Sequence, residues 1–214
     1  IFNIGTSRFN DTCMVVGDID SDTRNYNCEV GMWYFDPYGF YTVNVTIFDN
    51  SNAKSENSSE TFQYLYTIGF EIYPSSLYWP ILNSADLNVP ALESLKINNT
   101  GNVNLDFVNI TAYNLSGISD SNYYIPADNF FASVNYAECN SPASNLNDDS
   151  SVKIVSFPGM AVGNLSNGEA QGELFFCLAQ VPNPLKIQTY STEIGVPWEI
   201  IFFAASFVVS RKSR

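Results

Sequence analysis

Three aspartates, Asp18, Asp20 and Asp22, stand at alternate positions in the stretch GDIDSDTRNYNCE, and Glu29 closes the same stretch. Alternating carboxylates with a later one behind them are the pattern that gathers oxygen ligands around calcium. Three features oppose an EF-hand. Thr23 stands where the sixth loop position needs glycine, the flanks are patterned as strands, and Cys28 is expected to bridge to Cys13. The preferred reading is a solvated hairpin tip rich in turn formers. A calcium ion, if the chain holds one, belongs at Asp18, Asp20 and Asp22.

Histidine is absent, which removes the commonest general acid/base near neutral pH and the commonest metal ligand. Ser-His-Asp and Cys-His sites are excluded. No pair of carboxylates stands apart from the turns as a catalytic dyad, so the expectation is a protein that is not an enzyme.

The four cysteines are Cys13, Cys28, Cys139 and Cys177, and none forms a CxxC. A zinc ribbon or thioredoxin-like motif is therefore out. Two cysteines in each half suit two local disulfides, Cys13–Cys28 and Cys139–Cys177, in an oxidising compartment. Four buried free thiols are the alternative. Each bridge would contribute roughly 3–4 kcal/mol by restricting the unfolded chain.

Asn-x-Ser/Thr triplets occur at Asn10, Asn44, Asn57, Asn98, Asn109, Asn114 and Asn164. Such triplets are acceptors for N-linked glycans in secreted proteins. Position favours Asn44 on the polar face of a strand, Asn57 in a polar loop, and Asn98 beside a turn. A glycan is also expected at Asn109.

The totals narrow the partners. Among 214 residues there are 22 acidic and 9 basic side chains, a net charge of −13. Such a surface repels phosphate backbones, so nucleic acid is not expected to bind. Charged residues are only 14% of the chain, against roughly 25% in ordinary soluble domains. Aromatic residues, Asn, Ser and Thr take their place, a mixture that suits half-buried strands joined by polar turns.

The elements that must carry these residues read as strands throughout. CMVVGDIDSDTRNYNCEVGMWYF is strand, tip, strand. YGFYTVNVTIF alternates, with Tyr41, Val43, Val45 and Ile47 on one side and Thr42, Asn44 and Thr46 on the other. The tract from Asp49 to Glu60 reads as a loop, and TFQYLYTIGFEIYP as the returning strand. Further strands are expected at LYWPIL, ALESLKIN, VNLDFVNITAYN, NFFASVNY, KIVSF, ELFFCLAQV and PWEIIFFAASFVV. The aromatics of MWYFDPYGFY read as core, with a sugar-binding platform as the alternative.

The last stretch, GVPWEIIFFAASFVVSRKSR, admits a strand or a short membrane anchor with basic residues behind it. Its apolar run, Ile200 to Val209, is about half of the ~20 residues a spanning helix needs. Its β-branched and aromatic content favours a strand buried on both faces. Phe202, Phe203, Phe207, Val208 and Val209 are then the candidates for contact with a neighbouring copy. The tail Arg211, Lys212 and Arg214 would meet that copy's acidic surface. The start at Ile1, without a signal-peptide pattern, reads as a mature or trimmed product. Residues 1–25 lack the long apolar helix of a type IV pilin.

Two resemblances follow from these segments. Gly39, Tyr41, Val43, Val45, Ile47 and Asp49 resemble the final strands of PKD and related Ig-like modules, with Trp33–Tyr34–Phe35–Asp36 near the place of that family's aromatic-acidic turn. Asn98–Asn102, Cys139, Val181–Pro182, Thr189–Tyr190 and Trp198 resemble the NNTGN-type Ig-like modules of secreted archaeal surface proteins. The resemblances imply an all-β chain of two tandem Ig-like β-sandwich domains, residues 1–67 and 68–207, with a basic tail at 208–214. They imply an archaeal envelope protein. The function expected of it is structural: an extracellular, cell-surface subunit of an S-layer-like coat or filament that associates with copies of itself. An adhesin for glycans or a neighbouring cell is the alternative.

Overall fold

The computed structural model describes residues 7–154, 160–162, 170–192 and 197–203. These residues are almost entirely strand and turn. The single helical element among them is one 3-10 turn, Ala127–Asn129. The chain is all-β, and it divides into two compact units. One comprises Ile1–Thr67 with Gly101–Val103, the other Ile68–Thr100 with Asn104–Arg214.

The first unit holds two separate hairpins. β1 (Met14–Asp18) pairs antiparallel with β2 (Arg24–Asn27), opening from Met14 opposite Asn27. The Cys13–Cys28 disulfide closes the base, with Cα atoms 4.4 Å apart. At the tip the Ile19 N–H donates to the Thr23 carbonyl, 2.9 Å.

The second hairpin is longer: β3 (Gly39–Phe48) against β4 (Lys54–Tyr64), with a bulge between Val43 and Val45. Its turn is made by Asp49, whose Oδ1 accepts the N–H groups of Ser51 and Ala53, both at 2.8 Å. Asn52 takes the left-handed conformation there, φ 66°, a state asparagine tolerates better than most residues. The expected loop from Asp49 to Glu60 is thus wrong after Ala53, because Lys54–Glu60 are paired strand. Both faces of this ribbon meet solvent, so its polar residues are free to form a strand without apolar alternation.

One turn joins the unit's aromatic segment to its N-terminal part. Asp36 is buried and accepts from Arg8 Nε at 3.2 Å, Arg8 Nη2 at 2.5 Å and the Trp33 N–H at 2.8 Å. The Tyr64 hydroxyl donates to the Trp33 carbonyl and the Tyr41 hydroxyl to the Pro37 carbonyl. Asn102 belongs to this unit through its own pairing: its carboxamide accepts from the Thr67 N–H at 2.6 Å and donates to the Leu65 carbonyl at 2.9 Å.

The second unit is built on β14 (Gln171–Gln180). Residues 171–174 pair with β7 (Leu95–Asn99), and β7 pairs in turn with β5 (Phe70–Tyr73). The other half of β14 lies between β6 (Leu87–Pro90) and β11 (Phe130–Ser133), and β12 (Ser144–Asn145) extends β11. A second sheet places β8 (Phe107–Ala112) between β13 (Ser150–Lys153) and β16 (Glu199–Phe203). A third, small sheet is β10 (Tyr124–Ile125), β9 (Leu115–Gly117) and β15 (Tyr190–Ser191).

β8 shows why the first two sheets meet. Val108, Ile110 and Ala112 are fully buried, while Phe107, Asn109 and Thr111 are half-buried on the opposite face. The buried set joins Ile97 and Leu174 of the other sheet in one hydrophobic cluster. Phe130 lies at its aromatic centre, with ring centroids 5.1 Å from Trp79 and 5.3 Å from Trp198. Trp198 satisfies its indole N–H on the Tyr113 carbonyl, 2.8 Å. Cys139 and Cys177, both buried, form the second disulfide, with Cα atoms 5.2 Å apart.

LYWPIL is not a strand. Leu77, Trp79 and Leu82 pack against the core from backbone outside any strand. The prolines at 74 and 80 each lack the N–H that a ladder would use. The paired strand here is β6, which the sequence pattern did not mark.

Candidate interaction surface

The acidic hairpin tip does not assemble the calcium shell that its spacing invites. Asp18 is held by Arg24, whose Nε donates to its Oδ1 at 2.7 Å. Asp20 accepts the Asp22 N–H at 2.8 Å. That backbone bond, followed by one from the Thr23 side chain, pulls the Asp20 pKa below the usual carboxylate value. The surrounding hollow, about 340 Å³, contains Arg24 and Tyr26 beside the three aspartates. Among the described residues, no three His, Cys, Asp or Glu side chains converge as a metal site. The tip is a turn whose carboxylates satisfy their own backbone and an arginine.

The other displaced pKa values of carboxylates and bases also favour the charged form. Burial opposes the Asp36 carboxylate, yet the Arg8 and Trp33 hydrogen bonds and the Arg8 charge together hold its pKa down. Glu56 is lowered by Lys54 and Thr46, and Asp120 first of all by Lys186, whose own pKa is raised by the same pair. These are ion pairs. A general acid needs the opposite displacement.

The sequons fall in different settings. Asn44 and Asn57 are exposed on β3 and β4, so Asn57 lies on a strand and not in the expected loop. Asn98 is on the outward side of β7. Asn109 sits mid-strand on β8, and its Oδ1 is buried with no hydrogen-bond partner among the described residues. Asn10 donates its amide to the Glu29 carbonyl, and Asn114 donates to Asp148 while accepting from the Ala127 N–H. Asn164 lies outside the described residues.

Of the C-terminal candidates, Phe202 and Phe203 end β16, opposite Val108 and Phe107 of the same chain. Phe207, Val208 and Val209 lie outside the described residues, as do Arg211, Lys212 and Arg214. Among the described residues no helix is long and apolar enough to cross a membrane.

The apolar surface that stands out lies elsewhere, on β3 and β4. Val45, Ile47 and Phe48 are 49%, 59% and 64% exposed, and Phe40 is 73% exposed. Among the described residues, the side Tyr41–Val43–Val45–Ile47 covers no core. Only Tyr41 finds a close aromatic neighbour on its own ribbon, stacked on Phe62 at 5.4 Å. No described strand pairs with the outer edge of either β3 or β4. Among the described residues nothing covers the ribbon's edges or its faces. Neither a protein family, nor a curated protein, nor a solved structure gives a significant match to this chain.

The sequence pattern could have revealed this surface through Phe40 and Phe48. They flank the polar Thr42, Asn44 and Thr46 on the side opposite the valines. A strand with apolar residues on both sides is either doubly covered or doubly exposed.

Proposed function

We propose that the chain is an extracellular structural subunit of archaeal type, one that associates with copies of itself through strands into a surface coat or filament. Its units would serve as tandem Ig-like modules. The observation that carries this reading is the β3–β4 ribbon, long, with no described strand on either edge and apolar on exposed positions. Such a ribbon is a template for another chain's strand unless something blunts it, and strand addition gives affinity through main-chain bonds and selectivity through alternate side chains. Two disulfides fit assembly outside the reducing cytosol.

A second reading, adhesion to glycans, is favoured by Trp33, which is 54% exposed with the Arg8 guanidinium 5.9 Å from its ring. Electron microscopy and sedimentation of the purified full chain separate the two. Assembly predicts regular arrays or filaments as concentration rises, and their loss in the Val45→Lys, Ile47→Lys double variant. A chain that stays monomeric throughout while removing a particular glycan or cell from solution would replace assembly with adhesion.

A further inference from the structure

We propose that the outward face of β5, β7 and β14 is a cradle for an N-linked glycan carried by Asn98 of the same chain. This rests on the extracellular reading above and not on self-association.

The argument begins with alternation on β7. Leu95, Ile97 and Asn99 are buried, so Lys96 and Asn98 project from the other face. Register then builds two rows across three strands. Glu71, Asn98 and Gln171 form one; Tyr73, Lys96 and Glu173 form the next. A hollow of about 250 Å³ lies along the second row, lined by Tyr73, Lys96, Gln171, Gly172 and Glu173. Gln171, at its end, is the residue opposite Asn98.

The lining suits a sugar ring. Tyr73 is 45% exposed, with the Lys96 ammonium 5.9 Å from its ring centroid, and offers the rest of that aromatic surface for pyranose C–H groups to pack on. Lys96 supplies donors, Glu173 acceptors and Gln171 both, the set that hydroxyl groups require. The volume falls just below the roughly 300–1,000 Å³ of drug-sized pockets, space for a single sugar residue. So small and open a site holds a free sugar weakly, since binding must first offset lost translational freedom. A sugar tethered one row away avoids most of that cost, because its effective concentration is on the order of millimolar. Diagonal cross-strand neighbours are about 7–8 Å apart, so the first residues of an Asn98 glycan reach Tyr73.

Asn98 is also free to be modified. Its side chain has no hydrogen-bond partner among the described residues, whereas the amide nitrogens of Asn10 and Asn114 are engaged. In the transfer, Asn98 Nδ2 loses a proton and bonds the anomeric carbon of an activated oligosaccharyl phosphate. The phosphate departs with the electron pair.

The test uses the full chain, secreted through an N-glycosylating pathway and, separately, made in a host without one. Peptide mapping should find sugar on Asn98. Asn98→Gln should lower the Tm of the glycosylated protein by about 2–4 °C, with no loss in the Tyr73→Ala background and none in unglycosylated protein. A bare Asn98 in the secreted chain overturns the proposal. So does a Tm loss that persists undiminished in Tyr73→Ala. Neither result bears on filament formation, which is read by microscopy.

Discussion

Both units use antiparallel pairing and similar residues, yet only one of them encloses anything. In the second unit two sheets turn Ile97, Val108, Ile110, Leu174 and their neighbours into one buried cluster. In the first, the buried described residues are Asp36, Gly101 and Asn102, and none is a large apolar side chain. Pairing satisfies the backbone in both. A core needs a second layer, and a two-stranded ribbon alone is marginal in water. The first unit is held instead by a disulfide, ion pairs and aromatic stacking, and its apolar side chains remain exposed.

Core truncation should break the comparison hardest. Phe130→Ala removes the ring between Trp79 and Trp198, a loss of about 3–5 kcal/mol. Denaturant unfolding of the second unit would register it as a lower midpoint at unchanged slope. A loss below about 1 kcal/mol would mean that the cluster is not the source of that unit's stability.

The disulfide of the first unit comes next. Replacing Cys13 and Cys28 by Ala should cost the β1–β2 hairpin about 3 kcal/mol. Hydrogen exchange should show residues 14–27 at nearly open-chain rates, with β14 amides as protected as before. Equal loss of protection in both units would show that they do not fold independently.

Asp36 sharpens the contrast through pH. Its folded pKa lies below the ordinary value, so its contribution is complete above about pH 5. That contribution is lost as pH falls through the lowered folded value. Exchange around Trp33–Asp36 should rise on acidification before the second unit responds. Asp36→Asn, which leaves Arg8 without its counter-charge, should cost about 2 kcal/mol and abolish the pH step. The smallest effect on folding belongs to Ile47→Lys, within about 0.5 kcal/mol by thermal melting, since that side chain contributes to no core.

Much of the second unit was legible, because its strands keep period two against a core. Phe107–Ala112 is the clearest case. Both cysteine pairs were legible from their placement, two in each half. LYWPIL misled because Leu77, Trp79 and Leu82 mimic a strand while prolines deny it a ladder. Lys54–Glu60 misled in the opposite sense, since a strand exposed on both faces leaves no apolar signature. For the same reason the alternation of β3 placed its valines on one side without saying what that side faces. Their alternation is genuine, but sequence alone does not say whether anything covers them. At the hairpin tip the alternate aspartates were legible, but not that Arg24 pairs with Asp18 from the opposite strand.

β14 has a consequence for how the protein is made. It is the partner of β6, β7 and β11 and carries Cys177. Those partners all precede it by long stretches of chain, and such distant pairings form slowly. A growing polypeptide that ends before Gln171 holds the β5–β7 pair, the β11–β12 pair and β6 with nothing to join one to another. Folding of the second unit therefore waits for late synthesis, while the β3–β4 ribbon, closed locally by Asp49, forms as soon as it emerges. The exposed apolar ribbon is complete before the second unit has its core, which favours keeping nascent chains apart until β14 is in place.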